Sequence, residues 1–202
     1  MARKHRSFFP GAKYHITSRG IRRMALFHDD QDREYYLTLL AETKERHPFH
    51  LHTYCLMTNH IHLQIETIDT PTGVIMRQLH NTYAKYFNKR NDFTGHVFEN
   101  RYGAEWIDNA KYELDVSKYI HLNPLKAGII SNLEDYPWSS YRAYILNEEN
   151  PLLNKTQILS YFPEPSSAEY KGYLTAGFQD PDFDENGKII RDIPQKPITF
   201  LY

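Results

Sequence analysis

The stretch His60-Ile61-His62-Leu63-Gln64-Ile65 constrains this chain more than any other. It alternates strictly between polar and apolar residues. Successive side chains on a β-strand point to opposite faces. Ile61, Leu63 and Ile65 therefore share one face, and His60, His62 and Gln64 share the other. The apolar set demands a core to bury against. The two imidazoles then stand side by side on the opposite face, close enough to chelate one metal ion, because neutral imidazole is a common ligand for divalent transition metals. The same pattern also suits two half-exposed histidines on an ordinary polar sheet face.

The surrounding sequence supplies partners for this strand. Ala12 to Arg19 alternates in the same way and reads as a first strand. Asp29 or Asp30 can cap a helix over residues 31–46, where Tyr35, Leu39 and Leu40 recur at helical spacing. His47-Pro48 ends it, since the residue before proline is pushed out of the helical region. Phe49 to Met57 reads as a second strand, joined through Thr58-Asn59 to the third strand, His60 to Thr67, as a hairpin. Thr70-Pro71-Thr72-Gly73 opens a long helix to about Lys89, with Val74, Leu79, Tyr83 and Phe87 on its apolar face and Pro71 in the first turn. Asn91 to Gly95 is a loop, and Val97 to Ile107 has extended character. Asp108 to Asn123 reads as a third helix, stopped by Pro124. The order predicts an α+β ferredoxin-like sandwich, an antiparallel sheet with helices on one face. Residues 1–146 form the expected domain. Residues 147–202, rich in proline and acidic side chains, read as a loosely packed C-terminal extension or tail.

Composition narrows the setting. The 202 residues, 41% of them hydrophobic, can bury a proper core. The single cysteine, Cys55, excludes an internal disulfide framework and fits a reducing cytoplasm. It lies in an apolar stretch and reads as a buried small hydrophobe. No apolar run approaches the ~20 residues of a membrane span, and the basic N-terminal stretch lacks the apolar region of a signal peptide. The expected location is therefore the cytoplasm, with no membrane partner. The net charge of −1 hides an asymmetry: residues 1–28 carry seven Lys/Arg and no Asp or Glu. A local basic patch matters more to a phosphate backbone than the total does. It also fits a solvated basic tail with no partner.

Tyr119 and Asn123 lie four apart on the third predicted helix and so share a face. That spacing lets one residue reach a substrate phosphate while the other reaches a metal beside it. A core tyrosine and an asparagine at a helix end would look the same. Together with the histidine pair, however, they make a set suited to phosphodiester chemistry. A metal on a non-bridging oxygen polarises phosphorus and neutralises developing charge. A phenol, with an ordinary pKa of about 10, needs positioning and activation to attack. A covalent phosphotyrosine would retain the bond energy, so a later hydroxyl could rejoin strands without ATP.

The motifs resemble those of a known family. Met57-Thr58-Asn59-His60-Ile61-His62-Leu63, followed by Lys118-Tyr119-Ile120-His121-Leu122-Asn123-Pro124-Leu125-Lys126-Ala127-Gly128, is similar to the single-tyrosine HUH transposases, and most to the REP-associated tyrosine transposases. Tyr14 to Gly20, Phe98 to Tyr102 and Asp135 to Tyr141 fit too, in the expected order. The resemblance implies that His60, His62 and, as third protein ligand, Asn123 bind Mg²⁺ or Mn²⁺. It implies that Tyr119 attacks single-stranded DNA to give a 5′-phosphotyrosine and a 3′-hydroxyl, and that the partner is single-stranded or hairpin DNA at the nucleoid. Families of this type include monomers and dimers that share active sites, so a homodimer is one of two states it allows.

On physical grounds Arg19, Arg22, Arg23 and Arg101 are the phosphate-contact candidates. Arg101 fits a structural ion pair equally well. Trp106 and Trp138 read as core residues. Asp180 to Lys188 is acidic but lacks the full ligand pattern of a calcium loop. Two rival functions remain from sequence: a non-catalytic, domesticated nucleic-acid binding protein, and a metal-dependent phosphohydrolase that uses water and leaves Tyr119 structural.

Overall fold

The structure, a computed structural model, describes residues 8–176. The basic residues Arg3, Lys4 and Arg6, and the acidic stretch Asp180 to Lys188, lie outside the described residues. Four strands form one antiparallel sheet: β1 (Lys13–Arg19), β2 (Phe49–Leu56), β3 (His60–Thr67) and β4 (Gly103–Ile107), in spatial order β2-β3-β1-β4. This is the ferredoxin-like order, and it puts the histidine strand in the interior. The extended stretch expected from Val97 is ordered as a strand only from Gly103, with a single bridge from Phe98 to Gly20.

Helices α1 (Asp30–Arg46) and α2 (Thr72–Arg90) cover one face. Ile61, Leu63 and Ile65 are all about fully buried there, against Tyr36, Leu40, Leu79 and Tyr83. Each such burial contributes roughly 1.5–3 kcal/mol. Asp29 caps α1, its carboxylate accepting from the Asp32 amide at 3.1 Å. Arg90, at the end of α2, pairs with Asp29 and Asp32 and so ties the two helices together.

The expected single helical face holds for α1 and α2 alone. Helix α3 (Ala110–Lys126) lies across the opposite face, over β2 and β3. The reason is a second apolar seam: Val116 and Ile120 of α3 bury against Cys55, Met57 and Ile107. Cys55 is buried, as its surroundings predict, and burial pushes its thiol pKa up. Asn109 caps α3, accepting from the Tyr112 amide at 2.9 Å.

Pro124 does not stop α3, which runs on to Lys126. Proline lacks the amide that would donate to the Ile120 carbonyl, which costs α3 one hydrogen bond near its end, but the residues after it keep their own amides and stay helical. The stop comes from Gly128, at φ 66°, where Gly128 N–H donates to Leu125 and Ile129 N–H to Pro124. That is the left-handed termination glycine favours.

The reading of residues 147–202 as loosely packed does not hold up to Ala176. The short helices α4 (Tyr141–Ile145) and α5 (Thr156–Leu159), with α6 (Ser166–Thr175), build a third core of Tyr144, Ile158, Tyr170 and Leu174 against Leu114 of α3. Trp138 is partly buried against the core, but Trp106 is 51% exposed. It sits on the edge strand β4, where Phe9 packs on it edge-on with 6.0 Å between ring centres.

Candidate active site

The polar face of β3 is nearly as buried as its apolar face. His62 is 4% exposed and Gln64 fully buried, while His60 is half-buried at the strand's open end. Strand register brings in a neighbour from β1: Thr17 lies opposite His62 and His15 opposite Gln64. The His15 ring stacks on His62, and His15 Nε2 and His62 Nδ1 are 3.0 Å apart.

Helix α3 supplies the rest. Its angle over the sheet points Tyr119 and Asn123, one turn apart, at the histidines. The Tyr119 ring meets His62 edge-on at 5.2 Å and His15 at 5.8 Å. Asn123 Nδ2 donates to His62 Nε2 at 3.2 Å, and Asn123 also hydrogen-bonds His60. The His60 and His62 rings stand perpendicular, 5.0 Å between centres. All four residues named from sequence therefore come together in one chain.

Burial, then the Arg19 cation, lowers the His60 pKa to about 4, against the opposing effect of the Asn123 hydrogen bond. Burial pushes His62 well below its ordinary value too, helped by His15, His60 and Arg19. Both rings are thus neutral at physiological pH, the form that ligates metals.

The donor set suits a divalent cation. With Asn123 Nδ2 donating to it, His62 Nε2 carries a lone pair, and the His62 proton sits on Nδ1, where it donates to His15. An amide NH₂ thus faces a ring nitrogen lone pair; turning the amide over would present Oδ1 beside the same nitrogen. Two imidazoles and an amide oxygen form a mixed N/O set that Mn²⁺ accepts more readily than Mg²⁺, which favours oxygen alone. Asn123, within hydrogen-bond distance of His62, offers the amide oxygen as a third donor.

The arginines divide. Arg19 ends β1 directly opposite His60. Arg22 and Arg23 are exposed on the turn that follows, both at positive φ, 50° and 62°. Arg101 is exposed on the segment whose Glu99 amide donates to the Arg19 carbonyl at 2.9 Å. Among the described residues no ion pair holds Arg101. The four candidates thus sit on backbone segments joined to the Arg19–Gly20 end of β1, with Arg19 directly beside His60.

Two residues escaped the sequence reading. His15 was readable: alternation along β1 puts it on the same face as Lys13 and Thr17. Lys126, whose ammonium lies 5.6 Å from the centre of the Tyr119 ring, follows from helical spacing only once α3 is known to run past Pro124.

Comparison with known proteins agrees with this fold. The family described as Transposase IS200 like matches residues 9–123, more than half of the chain. The chain belongs to that family. A Haemophilus influenzae protein carrying the name REP-associated tyrosine transposase is 23% identical over 162 residues, covering 75% of this chain and 92% of that protein. A solved structure of a REP-associated tyrosine transposase bound to a REP hairpin superimposes with a TM-score of 0.64 at 18% identity, over 75% of this chain and 90% of that one. That likeness establishes the fold. No helix among the described residues is long and apolar enough to cross a membrane.

Proposed function

We propose that this chain cuts and rejoins single-stranded or hairpin DNA, with His60, His62 and Asn123 holding Mg²⁺ or Mn²⁺ and Tyr119 as the nucleophile. One observation carries the reading: Tyr119 and Asn123, one turn apart on α3, both reach His62, at 5.2 Å between rings and 3.2 Å between nitrogens. The hairpin bound to the REP-associated relative supports a structured DNA substrate. We place the action at the nucleoid.

The metal, when bound, would polarise the phosphate and neutralise the charge that develops on it. The protein's part is placement. Arg19 draws the phosphate toward the histidines and discourages their protonation. Tyr119 Oη attacks phosphorus, the bond to the 3′ oxygen breaks, and the phenolic proton ends on that oxygen. The products are a 5′-phosphotyrosine and a 3′-hydroxyl, and the reverse step joins strands. Lys126, its ammonium 5.6 Å from the centre of the Tyr119 ring, adds a cation beside the phenol that would attract the substrate phosphate. Every one of these groups comes from the same chain, so a second copy is not needed to complete the site.

The test is incubation with Mn²⁺ and a hairpin DNA bearing single-stranded flanks, followed by denaturing electrophoresis. A protein–DNA adduct is expected. Tyr119→Phe should keep metal and DNA binding and lose the adduct by at least about 10³-fold. Multiple-turnover cleavage without an adduct would mean water is the nucleophile. Binding without cleavage across a broad substrate panel would mean a binding protein.

A further inference from the structure

We infer that Asn59 is a positioning residue that fixes which nitrogen of His60 is free to bind metal, and that it does so by anchoring on the arginine turn. The inference rests on His60 being a metal ligand. Asn59 sits in the three-residue connection between β2 and β3 and uses both ends of its side chain. Its Nδ2 donates to the Arg23 carbonyl at 3.1 Å. A carbonyl can only accept, so the amide's orientation is set by chemistry. That leaves Oδ1 facing His60 Nδ1, at 2.7 Å. An amide oxygen also can only accept. His60 Nδ1 must therefore carry the ring's proton, and Nε2 keeps its lone pair. Hydrogen bonds to the far nitrogen are the usual way proteins orient a ligating imidazole, and losing one typically costs 10–100-fold in metal affinity.

The anchor is built to stay put. The Leu26 amide donates to the Thr58 carbonyl at 2.8 Å, and the Gly20 amide to the Asn59 carbonyl at 2.9 Å. A Cβ on Gly20 would collide with the Met24 carbonyl, so the turn closes as tightly as it does only with glycine there. Arg22 and Arg23 are held in the left-handed region within it. The turn that presents the arginines thus also orients the ligand, through one side chain.

The variants Asn59→Ala and Asn59→Asp test this in the full chain. A carboxylate can still accept from His60 but cannot donate to Arg23. Long-range ¹H–¹⁵N NMR on ¹⁵N-histidine protein reads the His60 tautomer without metal, and calorimetry reads Mn²⁺ affinity without DNA. Wild type should show the Nδ1–H form. Asn59→Ala should lose that preference and bind Mn²⁺ about tenfold more weakly. Asn59→Asp should keep the Nδ1–H form and more of the affinity than Asn59→Ala. An Nε2–H tautomer in wild type overturns the inference even if a variant fails to fold, as does an Asn59→Ala protein with wild-type tautomer and affinity. Failure of wild type to bind Mn²⁺ at all instead sinks the metal reading, while the tautomer result still stands or falls alone.

Discussion

The two faces of β3 are almost equally buried and opposite in chemistry. Ile61, Leu63 and Ile65 meet an apolar wall from α1 and α2, while His62 and Gln64 meet polar partners from β1, β2 and α3. The apolar face tolerates any well-shaped hydrophobe. The polar face must satisfy each buried donor and acceptor, because one left unpaired costs about 1–3 kcal/mol. Gln64 shows the demand: its Oε1 accepts from Thr53 at 2.8 Å and its Nε2 donates to the Glu113 carbonyl at 3.4 Å. A sheet could cover this face with leucines far more simply. Retaining such a network marks the face as the one shaped by chemistry.

The largest expected effect separates the faces. Leu63→Ala should cost roughly 2–5 kcal/mol, the range for a buried leucine. Denaturant titration reads that loss. The protein that remains folded should bind Mn²⁺ as wild type does. A parallel loss of affinity would show that the two faces are not independent.

Acid should act through buried histidines outside the polar face of β3, His80 on α2 and His121 against the third core. Burial holds His121 and His80 neutral in the fold, with pKa values lowered to about 3 from an ordinary 6.5. Below about 6.5 the unfolded chain takes up these protons and the folded chain does not, so stability falls as pH drops. Between pH 6.5 and 5, above the usual carboxylate range, the two together should cost on the order of 3 kcal/mol. Above pH 7 they contribute no slope. A flat melting temperature from pH 6.5 to 5 would contradict this, and His121→Asn should shallow the slope.

How much of this was legible follows the same division. Alternation in β1 and β3 and the order of elements were sufficient for the sheet, since strand periodicity forces a face on every side chain. The path of α3 was not legible. Its polar and apolar residues suit a helix covered on several sides, and periodicity cannot say which side of a sheet such a helix takes. The third core was hidden for another reason. Ile158, Tyr170 and Leu174 are sparse among polar residues, and they look solvated until Tyr144 and Leu114 are seen to meet them. Trp106 failed in the opposite sense: an aromatic in a strand reads as core, and only the position of β4 at the sheet edge exposes it. The site residues were legible as types and spacings. Their convergence on His62 depends on the path of α3.

Tyr170 tests whether the C-terminal helices truly belong to this fold. Its buried hydroxyl lies 2.5 Å from Ser117 Oγ and 2.8 Å from His121 Nδ1, both on α3. Tyr170→Phe should leave these groups short of a partner and cost about 1–3 kcal/mol. A residue in a loose tail would change stability by less than about 0.5 kcal/mol. Helix α3, which carries Tyr119, is thus held from behind by α6, where Lys118 also donates to the Tyr173 carbonyl at 2.6 Å.

The smallest effect on stability bears most directly on the contrast between packing and chemistry. Arg22 stands at φ 50°, ψ 29°, a conformation that costs a side-chain-bearing residue about 1 kcal/mol and costs glycine nothing steric. Nothing in the apolar core requires an arginine there, since the side chain is exposed. Arg22→Gly should therefore stabilise the protein by roughly 0.5–1 kcal/mol, read by thermal melting. If the strain serves DNA, the same change should weaken hairpin binding and lower the dependence of log Kd on log salt by about one unit, the signature of one lost phosphate contact. A stabilised protein with an unchanged salt slope would remove Arg22 from the phosphate-contact candidates. An unchanged stability would show instead that the turn, bolted to β3 through Thr58 and Asn59, holds its shape whatever residue occupies it.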